Sequence, residues 1–279
     1  RLSPTPTPKA TIQPALMSTS FPLFRKAIEP GTIIDLDKPS PSRWKILEKL
    51  NEYDGQVTVE QDKIYGSSSF ASARLLCYNP QRRATKTFMR VYIQVPHRST
   101  EIDNVDTRGQ QAISWDPPEL ASLLDLTEMG SNITPKLLGY KIGTQDRLGL
   151  VPGGFIIWLV WEIVPGLRLG DRDGAGLFWG LTRDEREHVR VVFTTALNKL
   201  MNYGWYPYEP MVRSLVWHRE TQTLYFIGRF NKTMEAQGLG KPKQVEPAQV
   251  VATFGLAMLD PPVRWEQHNW DKDTSRWKW

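Results

Sequence analysis

The 279-residue sequence contains one cysteine, Cys77, and four histidines. A single thiol cannot form an intrachain disulfide, which excludes the class of small secreted proteins held together by disulfides. The histidines are scattered along the chain and none lies near the cysteine: His97, His188, His218 and His268. A structural zinc site of the Cys/His type needs closely spaced ligands, so the sequence predicts none.

The sequence also lacks a large excess of one charge and an apolar run long enough to span a membrane. The 35 Lys and Arg residues stand against 30 Asp and Glu residues, for a net charge of +5, and they form no long basic run. Dispersed charge of this kind is typical of a solvated surface, so we expect no nucleic-acid partner. The longest apolar stretch, 153–164, is about half of a membrane span and contains Glu162, so we expect a buried strand and no membrane association. Without an apolar signal core near the first residues, we expect a cytoplasmic protein.

Proline and tryptophan are plentiful. Eight of the 21 prolines precede Arg43. Because proline at this density disfavours helix and sheet, residues 1–41 are predicted to form an extended arm. The arm could be a disordered leader, or it could dock on the domain through Phe21, Leu23 and Phe24. The 11 tryptophans could line a cleft as well as fill a core.

The first part of the chain after the arm has the pattern of a small sheet. A short helix is predicted over 42–50, followed by strands over 56–59 and 63–65. The small-residue turn 66–70 leads into strands over 74–78 and 86–95, which are separated by turn residues. A helix over 118–129 begins with two prolines, which suit a helix start.

The second part combines two strands with a long helix. Apolar runs over 137–142 and 154–164 predict strands. Thr182 and Glu185 form a capping box, and the apolar period that follows predicts a helix that ends at Gly204. Short strands are predicted over 215–217 and 223–227, and a last helix over 247–259.

Several segments in this order resemble a fungal protein-kinase-like family related to aminoglycoside phosphotransferases. Residues 119–140 are similar to its helix C and the following strand, 151–169 to its central strand and hinge, and 205–232 to its catalytic segment. The resemblance implies an α+β, protein-kinase-like fold of two lobes, with a small antiparallel-sheet N-lobe bearing one helix and a reduced helical C-lobe. The predicted divisions are an arm (1–41), an N-lobe with hinge (42–164), a C-lobe (165–262) and a Trp-rich tail (263–279).

The resemblance also implies phosphoryl-transfer chemistry, in which a Lys and metal ions hold the phosphates and an Asp orients the acceptor. The phosphate-covering turn here would begin at Gly66, but a single glycine equally fits an ordinary hairpin turn. The Lys position holds Arg90. Its guanidinium could contact a phosphate, or it could form a structural ion pair with Glu119.

The catalytic segment departs from the family pattern at three positions. The base position carries Glu209, the metal-binding amide is replaced by Ser214, and the metal-binding carboxylate by Gly228. Arg229 adds positive charge where a cation should bind. We therefore predict no ordinary Mg·ATP phosphotransfer, no metal and no other cofactor.

The hydrophobic scaffold is retained, which suggests a cleft adapted to another ligand. The predicted ligand is an apolar or planar small organic molecule, converted, if at all, by metal-free acid–base chemistry. In this hypothesis Glu209 would be the acid or base, and Tyr208 and Arg229 would assist it. The predicted ligand-binding residues are Arg90, Glu119, Trp161, Trp205, Ser214 and Trp217.

Two other functions stay open at this point. The chain could be a pseudokinase that acts as a protein-interaction module, with the Pro-rich arm and the tail as contact surfaces; the tail tryptophans are Trp265, Trp270, Trp277 and Trp279. It could also be a residual small-molecule phosphotransferase. A cleft filled by side chains would favour the interaction module, and an open aromatic cavity faced by Glu209 would favour the ligand-binding protein.

Overall fold

Six antiparallel strands form the main sheet, in the order β1-β2-β3-β4-β6-β5. They are β1 Ile33–Leu36, β2 Ser42–Gly55, β3 Phe70–Tyr78, β4 Lys86–Gln94, β5 Leu137–Thr144 and β6 Phe155–Glu162. The computed structural model describes residues 23–24, 26–82, 84–240, 246–259 and 272–279. In β3 every second residue is buried, from Ala71 to Cys77, which sends Arg74 to the opposite face of the sheet.

The predicted short helix over 42–50 is wrong, since these residues belong to β2. Trp44 and Ile46, two residues apart, are both buried, and this spacing is the period of a strand. The strand is paired with β1 on one side and with β3 on the other. The two strands predicted over 56–59 and 63–65 are also wrong. Residues Val59–Tyr65 form helix α1, which starts at a complete capping box between Thr58 and Gln61 and ends at left-handed Gly66.

Part of the predicted arm is packed on the sheet. Leu23 and Phe24 are buried, in agreement with the docking alternative for these two side chains, whereas Phe21 lies outside the described residues. The prolines leave room for one strand within the segment predicted as an arm, because β1 lies between Pro30 and Pro39 and contains neither. The first strand of the main sheet therefore comes from the segment predicted to be extended.

The remaining described helices are α2 Val105–Gly109, α3 Pro118–Glu128, α4 Gly176–Trp179, α5 Arg183–Asn202 and α6 Pro247–Thr253. Helix α5 starts where predicted, because the Thr182 hydroxyl accepts a hydrogen bond from the Glu185 amide at 3.3 Å. Gly204, at φ +81°, follows its end. Helix α6 is shorter than the predicted 247–259, since the chain turns at Gly255 with φ +74°.

Five short strands complete the second half of the chain: β7 Leu167–Arg168, β8 Trp205–Pro207, β9 Leu215–His218, β10 Thr223–Phe226 and β11 Phe230–Lys232. They form one sheet in the order β10-β9-β7 and a β8–β11 pair. With α5 and α6 they enclose an aromatic core in which Phe254 meets Phe193 edge-on at 4.8 Å. The main sheet has separate cores on its two faces, one of them against α3.

The described residues therefore have the α+β architecture that was predicted. Of the tail tryptophans, Trp277 is buried in the core of the second half and Trp279 stacks on it. Trp277 is thus a core residue and offers no contact surface, while Trp265 and Trp270 lie outside the described residues. Within the described ranges, no helix is both long and apolar enough to cross a membrane.

Glu185 links the start of α5 to the β9–β10 hairpin. Its carboxylate accepts hydrogen bonds from Arg219 Nε at 2.7 Å and Trp217 Nε1 at 3.2 Å. The hydrogen bond from Arg219, helped by that from Trp217, lowers the pKa of Glu185 below its ordinary value. A lowered folded-state pKa contributes stability above the unfolded pKa, near 4.5, and this contribution is lost as the pH falls through the folded-state pKa.

We therefore expect Glu185→Gln to lower the midpoint of thermal unfolding at pH 7, and this effect should fade as the pH falls below 4.5 through the lowered pKa of Glu185. Circular dichroism melts from pH 3 to 7 measure the difference. Glu128→Gln, at the exposed end of α3, is the matched control and should leave the midpoint unchanged at each pH. A constant gap between wild type and Glu185→Gln over this range would contradict the linkage.

Candidate functional site

An open cleft lies between the main sheet and the second half of the chain. It consists of a cavity of about 310 Å³ and an adjoining cavity of about 120 Å³. The two cavities share five lining residues: Arg90, Glu119, Glu209, Ser214 and Gly228. On one side the cleft is lined by β3, β4, α3 and the end of β6. The other side is lined by β7, β9 and residues 209–214 and 227–228. The cleft is not filled by side chains.

A buried ion pair joins the sheet to helix α3 at the back of the cleft. Arg90 Nη1 on β4 donates to Glu119 Oε2 at 3.0 Å, and the Tyr92 hydroxyl donates to the same oxygen at 2.7 Å. The Glu119 side chain is only 3% exposed and that of Arg90 19%. Glu119 therefore has its negative charge balanced by one cation and one neutral donor.

Burial and charge act together on this network. Burial by itself lowers the pKa of Arg90, but the Glu119 carboxylate and Tyr92 outweigh it, so the pKa of the guanidinium is raised. Burial, followed by the neighbouring Glu119 carboxylate, raises the pKa of the Tyr92 phenol above its ordinary value. Arg90 therefore stays a cation and Tyr92 a neutral donor at physiological pH. The pair fits the structural role considered for Arg90 and Glu119.

Glu209 lies at the mouth of the cleft and is not buried. Its side chain is 44% exposed, and Arg213 Nη2 donates to its Oε2 at 2.7 Å. Arg229 is more distant, 4.0 Å from Oε1, and lies over the ring of Tyr208 at 4.4 Å. Glu209, Tyr208 and Arg229, the three residues predicted to act together, line the same cavity. The burial that a general-acid role for Glu209 would require is absent.

The residues at the expected metal positions do not fit Mg²⁺. The Ser214 hydroxyl donates to the backbone oxygen of Glu209 at 3.0 Å. Gly228 has φ +102° and no atom within 4 Å of the position a Cβ would take, so no side chain enters the cleft there. Among the described residues, no three His, Cys, Asp or Glu side chains cluster closely enough to hold a metal ion. Mg²⁺ prefers several oxygen ligands, whereas the Ser214 hydroxyl is bonded to the backbone and Gly228 supplies no side-chain oxygen.

Of the predicted tryptophans, only Trp161 lines the cleft. Trp205 and Trp217 are 3% and 2% exposed in the core of the second half, and Trp217 bonds to Glu185 there. The prediction that they bind the ligand is not supported by their positions. The cleft has a second aromatic wall that was not predicted, Phe88, whose ring centre is 6.1 Å from that of Trp161.

Three arginines of the cleft were also missed: Arg74, Arg168 and Arg213. Together with Arg90 and Arg229 they give the cleft a net positive charge, five guanidinium groups against the carboxylates of Glu119, Glu162 and Glu209. The predicted apolar, aromatic-lined pocket is therefore corrected to a charged cleft with aromatic side walls. The available signal was the residue types of β3, since Ala73 and Leu75 occupy alternate positions and a strand period then places Arg74 on the other face.

Comparisons with known proteins add little to this geometry. No protein-family model and no curated protein sequence matches the chain. Among solved structures, it is similar to the Cydia pomonella granulovirus kinase PK-1, with 14% identity and a TM-score of 0.39 over 66% of this chain and 50% of that one. It is also similar to vaccinia related kinase 3, with 13% identity and a TM-score of 0.34 over 72% of this chain and 51% of the other.

The chain spans about half the length of these two solved structures. Both TM-scores are below 0.5 and both identities below 15%, so neither likeness establishes function. The chemistry of the cleft has to be argued from its own residues.

Proposed function

We propose that this chain is a kinase-fold protein that has lost ordinary Mg·ATP phosphotransfer and binds a small organic molecule in the cleft. The observation that carries the proposal is an open cavity of about 310 Å³ in which every lining carboxylate already has a partner. This volume lies at the lower end of the range for small-molecule sites. The kinase-like part of the proposal rests on the sequence resemblance, together with a sheet strand and a helix joined by Arg90 and Glu119.

The three carboxylates of the cleft account for the loss of metal chemistry. Glu119 accepts from Arg90 and Tyr92, and Glu209 from Arg213. Glu162 accepts a hydrogen bond from the Lys136 amide at 3.0 Å. A cation would have to compete with these donors for the carboxylates, and the nearby arginines would repel it. Phosphoryl transfer depends on metal ions that neutralise the phosphates, so the cleft lacks a central requirement of that reaction.

Binding without conversion is the form of the function that the geometry supports best. Glu209 was predicted to act as an acid or base, but it is half-exposed and ion-paired with Arg213. Tyr208 is half-exposed too, and its ring is covered by Arg229. These groups are suited to holding a polar part of a ligand at the mouth of the cleft. A protein partner that contacts the Pro-rich arm or the tail stays a prediction.

The proposal predicts that Mg²⁺ adds nothing to any binding of ATP and supports no phosphotransfer. A ligand at ten times its Kd raises the free energy of unfolding by about 1.4 kcal/mol, which a thermal-shift measurement detects. We expect the unfolding midpoint with millimolar ATP to be the same in the presence of Mg²⁺ and of EDTA, and we expect no transfer of the γ-phosphate to water or to a small alcohol. A shift that appears only with Mg²⁺ would overturn the loss of phosphotransfer.

A further inference from the structure

We propose that the ligand of the cleft is a planar organic oxyanion, a carboxylate or a phosphate ester, whose negative group is bound by Arg74 and Arg168. Its ring would lie along the aromatic walls formed by Phe88 and Trp161. This inference rests on the proposed function, because it names the chemical class of the small molecule that the cleft binds.

The first argument is the charge balance of the cleft. Arg90 is paired with Glu119 and Arg213 with Glu209, at 3.0 and 2.7 Å. Arg74 and Arg168 line the same cavity, and among the described residues neither has a carboxylate oxygen within 4 Å. Among the described residues, the one hydrogen bond of the Arg168 side chain runs from its Nε to the Arg213 backbone oxygen at 2.7 Å. Two cations of the cleft therefore have no ion pair at contact distance, and Glu119 and Asp171 act on Arg74 and Arg168 only from farther away.

The second argument is the register of the sheet. Arg74 on β3 lies directly opposite Arg90 on β4, and like charges in opposed positions destabilise an antiparallel pair. Glu119 balances only one of them. Arg74 Nε is buried and has no hydrogen-bond partner among the described residues, while the guanidinium lies over the ring of Phe88 at 5.0 Å. Burial, and after it the charges of Arg90 and Arg168, lowers the pKa of Arg74. A bound anion would relieve this repulsion.

The third argument is shape. A guanidinium presents a planar fork of donors that matches the two oxygens of a carboxylate or of a phosphate. Arg74 comes from the main sheet and Arg168 from β7, so an anion held by both would join the two halves of the cleft. The rings of Phe88 and Trp161 provide an apolar surface beside it, and the cavity volume of about 310 Å³ suits a compact ring system.

The test compares three probes that share one ring system: 2-naphthoate, 2-naphthyl phosphate and the uncharged 2-naphthamide. Calorimetric titration in low-salt buffer without Mg²⁺ should show that at least one anion binds about tenfold or more tightly than the amide. This preference should shrink as NaCl is added. The tighter of the two anions identifies the group, a carboxylate or a phosphate, that the site prefers.

Variants of Arg74 and Arg168 distinguish specific binding of the anion from binding of the ring system alone. Arg74→Met and Arg168→Met should each weaken the preferred anion about tenfold and leave the amide unchanged. Arg168→Lys keeps the charge without the planar fork of donors, so its affinity for the anion should lie between those of the wild type and of Arg168→Met. Arg147→Met is the control, since Arg147 is highly exposed and lies outside the cleft lining. Circular dichroism melts establish that each variant is folded.

The outcomes tell the two proposals apart. If the amide and both anions bind equally and the arginine variants change nothing, the anion inference is wrong while small-molecule binding stands. If none of the three probes binds the wild-type protein, both proposals fail. If anion binding is weakened by Arg147→Met as much as by Arg74→Met, the attraction is a general effect of net charge and the assignment to Arg74 and Arg168 is overturned.

Discussion

Replacing Arg90 with Met is expected to destabilise the protein by about 3 kcal/mol or more at neutral pH, because it leaves the Glu119 carboxylate buried without its cation. The Glu119 side chain is 3% exposed, so its carboxylate has little water around it to replace the lost partner. The Tyr92 hydroxyl still donates to the carboxylate at 2.7 Å, which keeps the loss below that of an entirely unpartnered charge. Urea unfolding followed by circular dichroism measures the change in the free energy of unfolding.

A double variant provides the control. Arg90→Met combined with Glu119→Leu removes both charges, and replacing a buried ion pair by apolar residues is often neutral or stabilising. We expect the double variant to recover most of the stability that the single variant loses. A double variant as unstable as Arg90→Met would locate the damage in the sheet. This expectation also shows that Arg90 is a poor probe of ligand binding, since its removal disturbs the contact between β4 and α3.

The elements predicted correctly from the sequence are those whose signals are local. Helix α5 has a cap at Thr182, a helical apolar period and a glycine after its end, and all three signals lie within the segment itself. Residues 42–50 lack such agreement. Trp44 and Ile46 follow the strand period, while Leu47 and Leu50 also fit a helix, and the choice is made by pairing with β1 and β3. Because pairing depends on distant residues, the sequence pattern could not decide it.

In the candidate site, too, local sequence signals were informative and relations between distant residues were not predicted. The resemblance named positions along the catalytic segment, and the structure brings Glu209, Tyr208 and Arg229 together there. The direction of a side chain is a different question. Trp205 on β8 and Trp217 on β9 both belong to the predicted catalytic segment, but they face the core. The significance of Arg74 depends on Arg90 being opposite to it across two strands, a relation that appears only once the register is known.

Gly166 is the second position at which a small change should have a large effect. It connects β6 to β7, lines the cleft, and has φ +123°, a value that favours glycine. A Cβ at this position would lie 2.4 Å from the backbone oxygen of Trp217, which cannot move aside as a flexible side chain would. Gly166→Ala should therefore combine backbone strain with overpacking and lower the free energy of unfolding by about 4 kcal/mol.

Gly174→Ala isolates the steric part of this loss. Gly174 has φ +126°, almost the same backbone strain, but no atom lies within 4 Å of its Cβ position. Its substitution should cost about 1–2 kcal/mol, and the remainder of the Gly166 effect is then due to the Trp217 backbone. Since Arg168 follows two residues after Gly166 and β7 pairs with β9, displacement of this strand should also weaken the binding of 2-naphthoate. Gly174→Ala should leave that affinity unchanged; equal losses of stability in the two variants would contradict the assigned contact with Trp217.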